Sequence, residues 1–230
     1  RGDQPDILIV GLSATDRIGH AWGPNSHEIM DAIVRLDRLL ARLFDALDAE
    51  IGLENAVVAL TADHGVAPLP ELIRELRPGD GAMRLHPDTV IAAAEAALDS
   101  AYGAHAGEGW VVELDAPNLY LDEDALLARG VDLAEAERIA RDAVRRVDGV
   151  HEARTRSELL RLRDEGVPSP LALSIHPERS GHVVVVPRPF VLIDDDPDGT
   201  GHGTPWGYDR HVPVAFVGAG IRPGEHHVPA

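Results

Sequence analysis

Two short apolar runs separated by one long amphipathic stretch constrain this chain more than anything else in it. Asp6-Ile7-Leu8-Ile9-Val10-Gly11-Leu12 is almost wholly apolar, and so is Ala56-Val57-Val58-Ala59-Leu60 before Thr61. Runs of that length without polar alternation read as strands buried on both faces, the habit of parallel sheets. Between them, Ile29, Ile33, Leu36, Leu40, Leu43, Phe44 and Leu47 recur at helical spacing, which predicts a helix from Ser26 to about Glu50. Ser26 offers the N-terminal cap and Gly52 the stop. Strand, helix, strand is a βαβ unit. It predicts an α/β protein whose mostly parallel sheet is covered by helices, a three-layer α/β/α sandwich.

The middle of the chain has a different grain. Helices are predicted over Pro87–Tyr102, Leu133–Val147 and Ser157–Asp164, and strands over Trp110–Leu114, Asn118–Leu121 and Val150–Ala153. That mixture predicts a smaller α+β subdomain inserted into the sheet domain. The β-branched run His182–Val186 reads as a return strand and Val212–Val217 as another. The expected organisation is therefore residues 1–80 as the first part of the sheet domain, 81–180 as the insertion, and 181–230 as the return.

Charge narrows the function. The formal net charge is −18 and all 21 basic residues are Arg. A chain this acidic lacks the basic patch that a nucleic-acid backbone requires, so no nucleic-acid polymer is expected as a partner. An anionic substrate would need a local source of positive charge, and a bound metal ion is one. The chain has no Cys, which removes disulfides, thiolate ligands and thiol nucleophiles together. No apolar stretch approaches the length of a membrane span.

The metal candidates sit where the elements end. Asp63 and His64 follow the second apolar run directly, and open α/β sheets build their sites at the carboxyl ends of strands. Asp16 and His20 follow the first run at a spacing of four, which stacks them on one helical face. His202 stands among glycines in Gly199-Thr200-Gly201-His202-Gly203-Thr204. Each feature has an ordinary reading as well. Asp16 and His20 serve a salt bridge equally well, Asp-His-Gly is good turn chemistry, and His202 suits a flexible loop. His182 and His211 read as surface or satisfied structural residues.

Taken in order, these segments resemble the alkaline phosphatase superfamily. The likeness rests on Asp16-x-x-Gly19-His20-x-x-Gly23-Pro24-x-Ser26-x-Glu28, on Thr61-Ala62-Asp63-His64-Gly65, and on His202-Gly203-Thr204-Pro205-Trp206-Gly207-Tyr208-Asp209-Arg210-His211. The branch it is most similar to holds zinc-dependent bacterial alkaline phosphatases with a Thr nucleophile and the nucleotide pyrophosphatase/phosphodiesterases. The resemblance implies two zinc ions, one held by Asp16, His20 and His202 and the other by Asp63 and His64. It implies hydrolysis of a small phosphate ester through a phosphoenzyme, in the periplasm or outside the cell. In the family, the Thr or Ser nucleophile and a further Asp of the second zinc site precede the Asp16 motif, so both are expected upstream of Arg1. The chain by itself is then expected to be inactive. Monoesters are the first expectation and diesters or nucleotide pyrophosphates the alternative. A manganese-dependent relative of phosphoglycerate mutase and a non-catalytic metal-binding fragment also stay open.

Overall fold

A computed structural model describes residues 5–105, 107 and 109–225. In chain order the elements are α1 (Ala14–Trp22), α2 (His27–Ile51), β1 (Val57–Thr61), α3 (Pro70–Leu76), β2 (Met83–Leu85), α4 (Pro87–Tyr102), β3 (Val111–Asp115), β4 (Asn118–Leu121), α5 (Glu123–Ala128), α6 (Leu133–Val144), β5 (Val150–Thr155), α7 (Arg156–Asp164), α8 (Pro170–Ser174), β6 (Val183–Pro187), β7 (Val191–Ile193), α9 (Gly207–Arg210) and β8 (Val214–Gly218). They fall into two compact units, one formed by the described residues of Arg1–Asp63 and Val212–Ala230, the other by His64–His211.

In the first unit α2 forms where the apolar period places it. The Ser26 hydroxyl accepts the Ile29 N–H at 3.2 Å, and Gly52, at φ 74°, turns the chain away. Ile29, Leu36, Leu40, Leu43, Phe44 and Leu47 are the half-buried residues of the stripe, while Ile33 is exposed. No residue of this 25-residue helix is fully buried. β1 pairs antiparallel with β8, Val57 facing Gly218 and Thr61 facing Val214. Most side chains of both strands are exposed. A two-stranded ribbon with bare apolar faces is marginal in water by itself.

The run Asp6–Leu12 corrects the sequence reading. It carries no strand assignment, and Ile7 and Ile9 are 86% and 88% exposed. A strand that is apolar on both faces needs neighbours on both edges and cover on both sides. Among the described residues none pairs with this run. The mostly parallel sheet expected of it is likewise not what the described strands form. Their pairing is mixed: β2 and β7 run parallel, whereas β1–β8, β3–β4, β4–β6 and β5–β6 are antiparallel.

The second unit holds a full core. Its four-stranded sheet has the order β3-β4-β6-β5. Val183 and Val185 of β6 lie in the cluster that includes Val90, Ala94 and Leu98 of α4 and Ala136, Ala140 and Val144 of α6. Val184 points the other way, into Leu159 of α7 with Ala172 and Ile175. Covered on both faces and paired on both edges, β6 is buried throughout, which is why its sequence is an unbroken run of valines. Each such side chain is worth about 1.5–3 kcal/mol of transfer free energy. Among the described residues no helix is long and apolar enough to cross a membrane.

A polar cluster closes the end of this sheet. His182 is buried, its Nδ1 lies 2.9 Å from the Leu121 N–H and its Nε2 lies 2.7 Å from Glu123 Oε1. The backbone N–H donates only, so Nδ1 is the acceptor and Nε2 carries the proton. Protonating Nδ1 would break a buried bond. Burial holds the His182 pKa below 6.5 against the opposing pull of Glu123. Glu123 in turn is held below 4.5, chiefly by its bond from His182. Unfolded His182 therefore takes up a proton that the folded state refuses, and stability falls as pH drops below 6.5. We expect His182→Gln, which keeps one acceptor and one donor, to flatten the loss of melting temperature as pH falls from 6.5 toward 4.5. A slope identical to wild type in thermal melts would refute this account.

Candidate metal centre

In the first unit the expected ligand pair lies on one face of α1. Asp16 Oδ1 is 3.4 Å from His20 Nε2, and both side chains are partly exposed. β1 stops at Thr61, so Asp63 emerges beyond a strand end, exposed and as the last residue of that unit's first segment. Asp16 and His20 thus come together within the first unit, as the spacing of four requires.

In the second unit the structure joins two residues 138 positions apart in sequence, His64 and His202. Their rings stack at 3.4 Å between centroids, with planes 20° apart. His64 Nδ1 lies 2.8 Å from the Gly65 carbonyl. A carbonyl accepts only, so Nδ1 carries the hydrogen and the lone pair of the neutral ring is on Nε2, the form in which imidazole binds a metal. His202 is exposed and His64 half-buried.

The loops that carry these rings are fastened to one another. The Gly65 N–H donates to the Asp209 carbonyl at 2.7 Å, and the Ala67 N–H to the Gly201 carbonyl at 3.0 Å. The buried Thr200 hydroxyl donates to the Ala67 carbonyl at 2.9 Å. Downstream of His202, the Thr204 N–H and hydroxyl both donate to Asp209 Oδ2, at 2.8 and 2.6 Å. Trp206 Nε1 anchors the same loop to the Pro187 carbonyl at 3.0 Å. Upstream, Arg84 donates to the carbonyls of Asp196, Asp198 and Gly199 while its Nη2 pairs with Glu71 at 2.9 Å. A glycine-rich segment that would be costly to order is thereby ordered from both sides.

Asp209, Thr200 and Thr204 are the residues that the sequence reading passed over. Asp209 is 3% exposed, in a short helix with no period to announce burial. Burial raises its pKa, while the Thr204 bonds and then the charges of His202 and His64 lower it. Its Oδ1 is buried with no hydrogen-bond partner. The one legible sign was a carboxylate five residues after a threonine in a loop already carrying a candidate ligand.

Two concavities of the second unit bear on substrate. One, about 50 Å³, is lined by Ala67, Val185, Leu192, His202, Thr204 and Tyr208. It is far below the several hundred Å³ of a ligand pocket. The other, about 370 Å³, is bordered by Glu113, Asp122, Glu123, Asp124 and His182. Its negative charge repels a phosphate ester. Neither is a phosphate pocket.

Comparison with known proteins places the chain in a family and a fold. The family model for type I phosphodiesterase / nucleotide pyrophosphatase matches residues 1–211. Alkaline phosphatase PhoV of Synechococcus elongatus is 31% identical over 229 residues, covering 96% of this chain and 38% of the relative. Alkaline phosphatase PafA of Elizabethkingia meningoseptica is 28% identical over 231 residues, covering 99% of this chain and 41% of the relative. The crystal structure of PafA matches with a TM-score of 0.80 at 26% identity, over 95% of this chain and 41% of that one. Murine ectonucleotide pyrophosphatase / phosphodiesterase 5 shares the fold, with a TM-score of 0.56 at 16% identity over 90% of this chain and 46% of that one. The chain therefore has the α/β fold of these proteins and spans about two-fifths of the length of the curated relatives it matches.

Gly65 supplies a direct check on the paired loops. A Cβ there would collide with the Tyr208 carbonyl. We expect Gly65→Ala to force the His64 and Asp209 segments apart, costing about 1–3 kcal/mol as overpacking does. Denaturant unfolding of the second unit at wild-type midpoint would contradict that.

Proposed function

The chain belongs to the type I phosphodiesterase / nucleotide pyrophosphatase family, and from that premise we propose that it is the metal-holding part of a zinc-dependent hydrolase of phosphate monoesters. In this reading Asp16, His20 and His202 hold one zinc ion, and Asp63 and His64 contribute to a second. The observation that carries it is the stacked pair His64 and His202, with the His64 tautomer set by the Gly65 carbonyl. Neutral imidazole with carboxylate is the donor set of catalytic zinc. Zinc bound there would supply the positive charge that a phosphoryl group and its attacking and leaving oxygens require.

The chain's own residues do the holding. The Gly65 N–H and Thr200 tie the His64 segment to the His202 loop, and Thr204 and Trp206 fix that loop from its far side. The Asp16–His20 pair sits ready on α1. Two ligands, Asp63 and His64, are too few for a four-coordinate second ion, so full turnover calls on groups beyond these five. We place the activity outside the cytoplasm by family likeness, and the oligomeric state is left open.

Monoesters are preferred because four of the relatives aligned along nearly the whole chain are named alkaline phosphatases. The name of the matching family model favours a second reading, a phosphodiesterase or nucleotide pyrophosphatase. The test is an assay of the full-length protein on p-nitrophenyl phosphate and on its bis-ester. We expect the monoester to turn over faster, chelator to abolish turnover, and zinc to restore it better than manganese. His202→Ala should lose at least about two orders of magnitude, more than loss of a residue that merely supports a ligand. Faster diester hydrolysis would favour the second reading. Zinc binding without turnover of either ester would favour a non-catalytic metal-binding protein.

A further inference from the structure

Asp209 is buried at a cost that its visible hydrogen bonds do not explain. Its carboxylate takes two bonds from Thr204, both on Oδ2, and leaves Oδ1 enclosed with no hydrogen-bond partner. An Asn carbonyl could accept the same two Thr204 bonds without burying a charge, and an unsatisfied buried polar atom costs about 1–3 kcal/mol, more when charged. The charge itself therefore needs a reason.

Position supplies one. Asp209 touches both histidine loops, the His64 side through its carbonyl, which receives the Gly65 N–H, and the His202 side through Thr204. The histidines whose charge bears on its carboxyl are the two stacked rings, His202 and His64. A buried negative charge whose field reaches two imidazoles offsets the charge of a divalent cation held by them.

We propose that Asp209 is a positioning residue for the metal-binding histidines: its backbone and Oδ2 register the two loops, and its buried charge raises their affinity for zinc. This rests on the reading of His64 and His202 as zinc ligands. It adds a residue outside the ligand set and separates two duties within it, a structural one in the hydrogen bonds and an electrostatic one in the charge.

The experiment measures zinc affinity by competition with a chromophoric chelator, and metal-free stability by denaturant unfolding, in the full-length protein. Asp209→Asn keeps an acceptor for Thr204 and removes the charge. We expect its zinc affinity to fall by about tenfold or more, with metal-free stability equal to or above wild type. Thr204→Val keeps the charge and removes the hydroxyl bond. We expect it to lower stability while zinc affinity stays within about threefold, well short of the loss seen when an outer-shell partner is removed. Wild-type zinc affinity in Asp209→Asn would overturn the proposal. So would an equal loss of affinity in both variants, because that is the mark of a structural role alone. Equal zinc binding by wild type and His202→Ala would instead overturn the ligand reading, and this inference with it.

Discussion

The hydrogen bond from the Gly65 N–H to the Asp209 carbonyl, 2.7 Å long, is the contact on which the histidine pair depends. It brings a segment that follows β1 to a segment that precedes β8. Glycine is required at that point because any side chain would meet the Tyr208 carbonyl. Everything around the bond reinforces it: Thr200 on Ala67, Thr204 on Asp209, Trp206 on Pro187, and the Tyr208 ring against Phe190 at 5.4 Å. These are short-range polar contacts laid over an apolar core built on β6. The core supplies the free energy, and the polar contacts decide where two imidazoles stand.

How much of this was legible in the sequence depended on whether a signal was local. The helix from His27 to Ile51 was readable because its apolar period, its Ser26 cap and its Gly52 stop all lie within the segment. The strands Asn118–Leu121 and Val183–Pro187 and the helix Pro87–Tyr102 were readable for the same reason. Asp6–Leu12 misled because apolarity shows what a strand would bury and not whether neighbours exist to bury it; here Ile7 and Ile9 lie open. Among the described strands the pairing is mixed, with only β2 and β7 parallel. The stacking of His64 on His202 was not expected, since the family likeness assigns them to different zinc ions and no local pattern links residues that far apart. Asp209 was illegible, because its burial is a property of the fold around it.

The two units differ in how far they satisfy themselves. In the second, Trp110, Leu119, Leu126 and the valines of β6 are buried, and His182 and Glu137 are among the polar residues enclosed with partners. In the first, Val57, Phe216 and Val217 are more than half exposed, and α2 buries none of its residues fully. Exposed apolar area on that scale marks an interaction surface. The relatives PhoV and PafA are some two and a half times as long as this chain.

On this reading the stacked rings of His64 and His202 are zinc ligands. Anomalous diffraction at the zinc edge, from crystals of the zinc-loaded full-length protein, tests it most directly. A peak is expected about 2.0–2.2 Å from a ring nitrogen of His202, the distance of zinc coordination. Zinc bound only elsewhere, with no peak near His202, would contradict it.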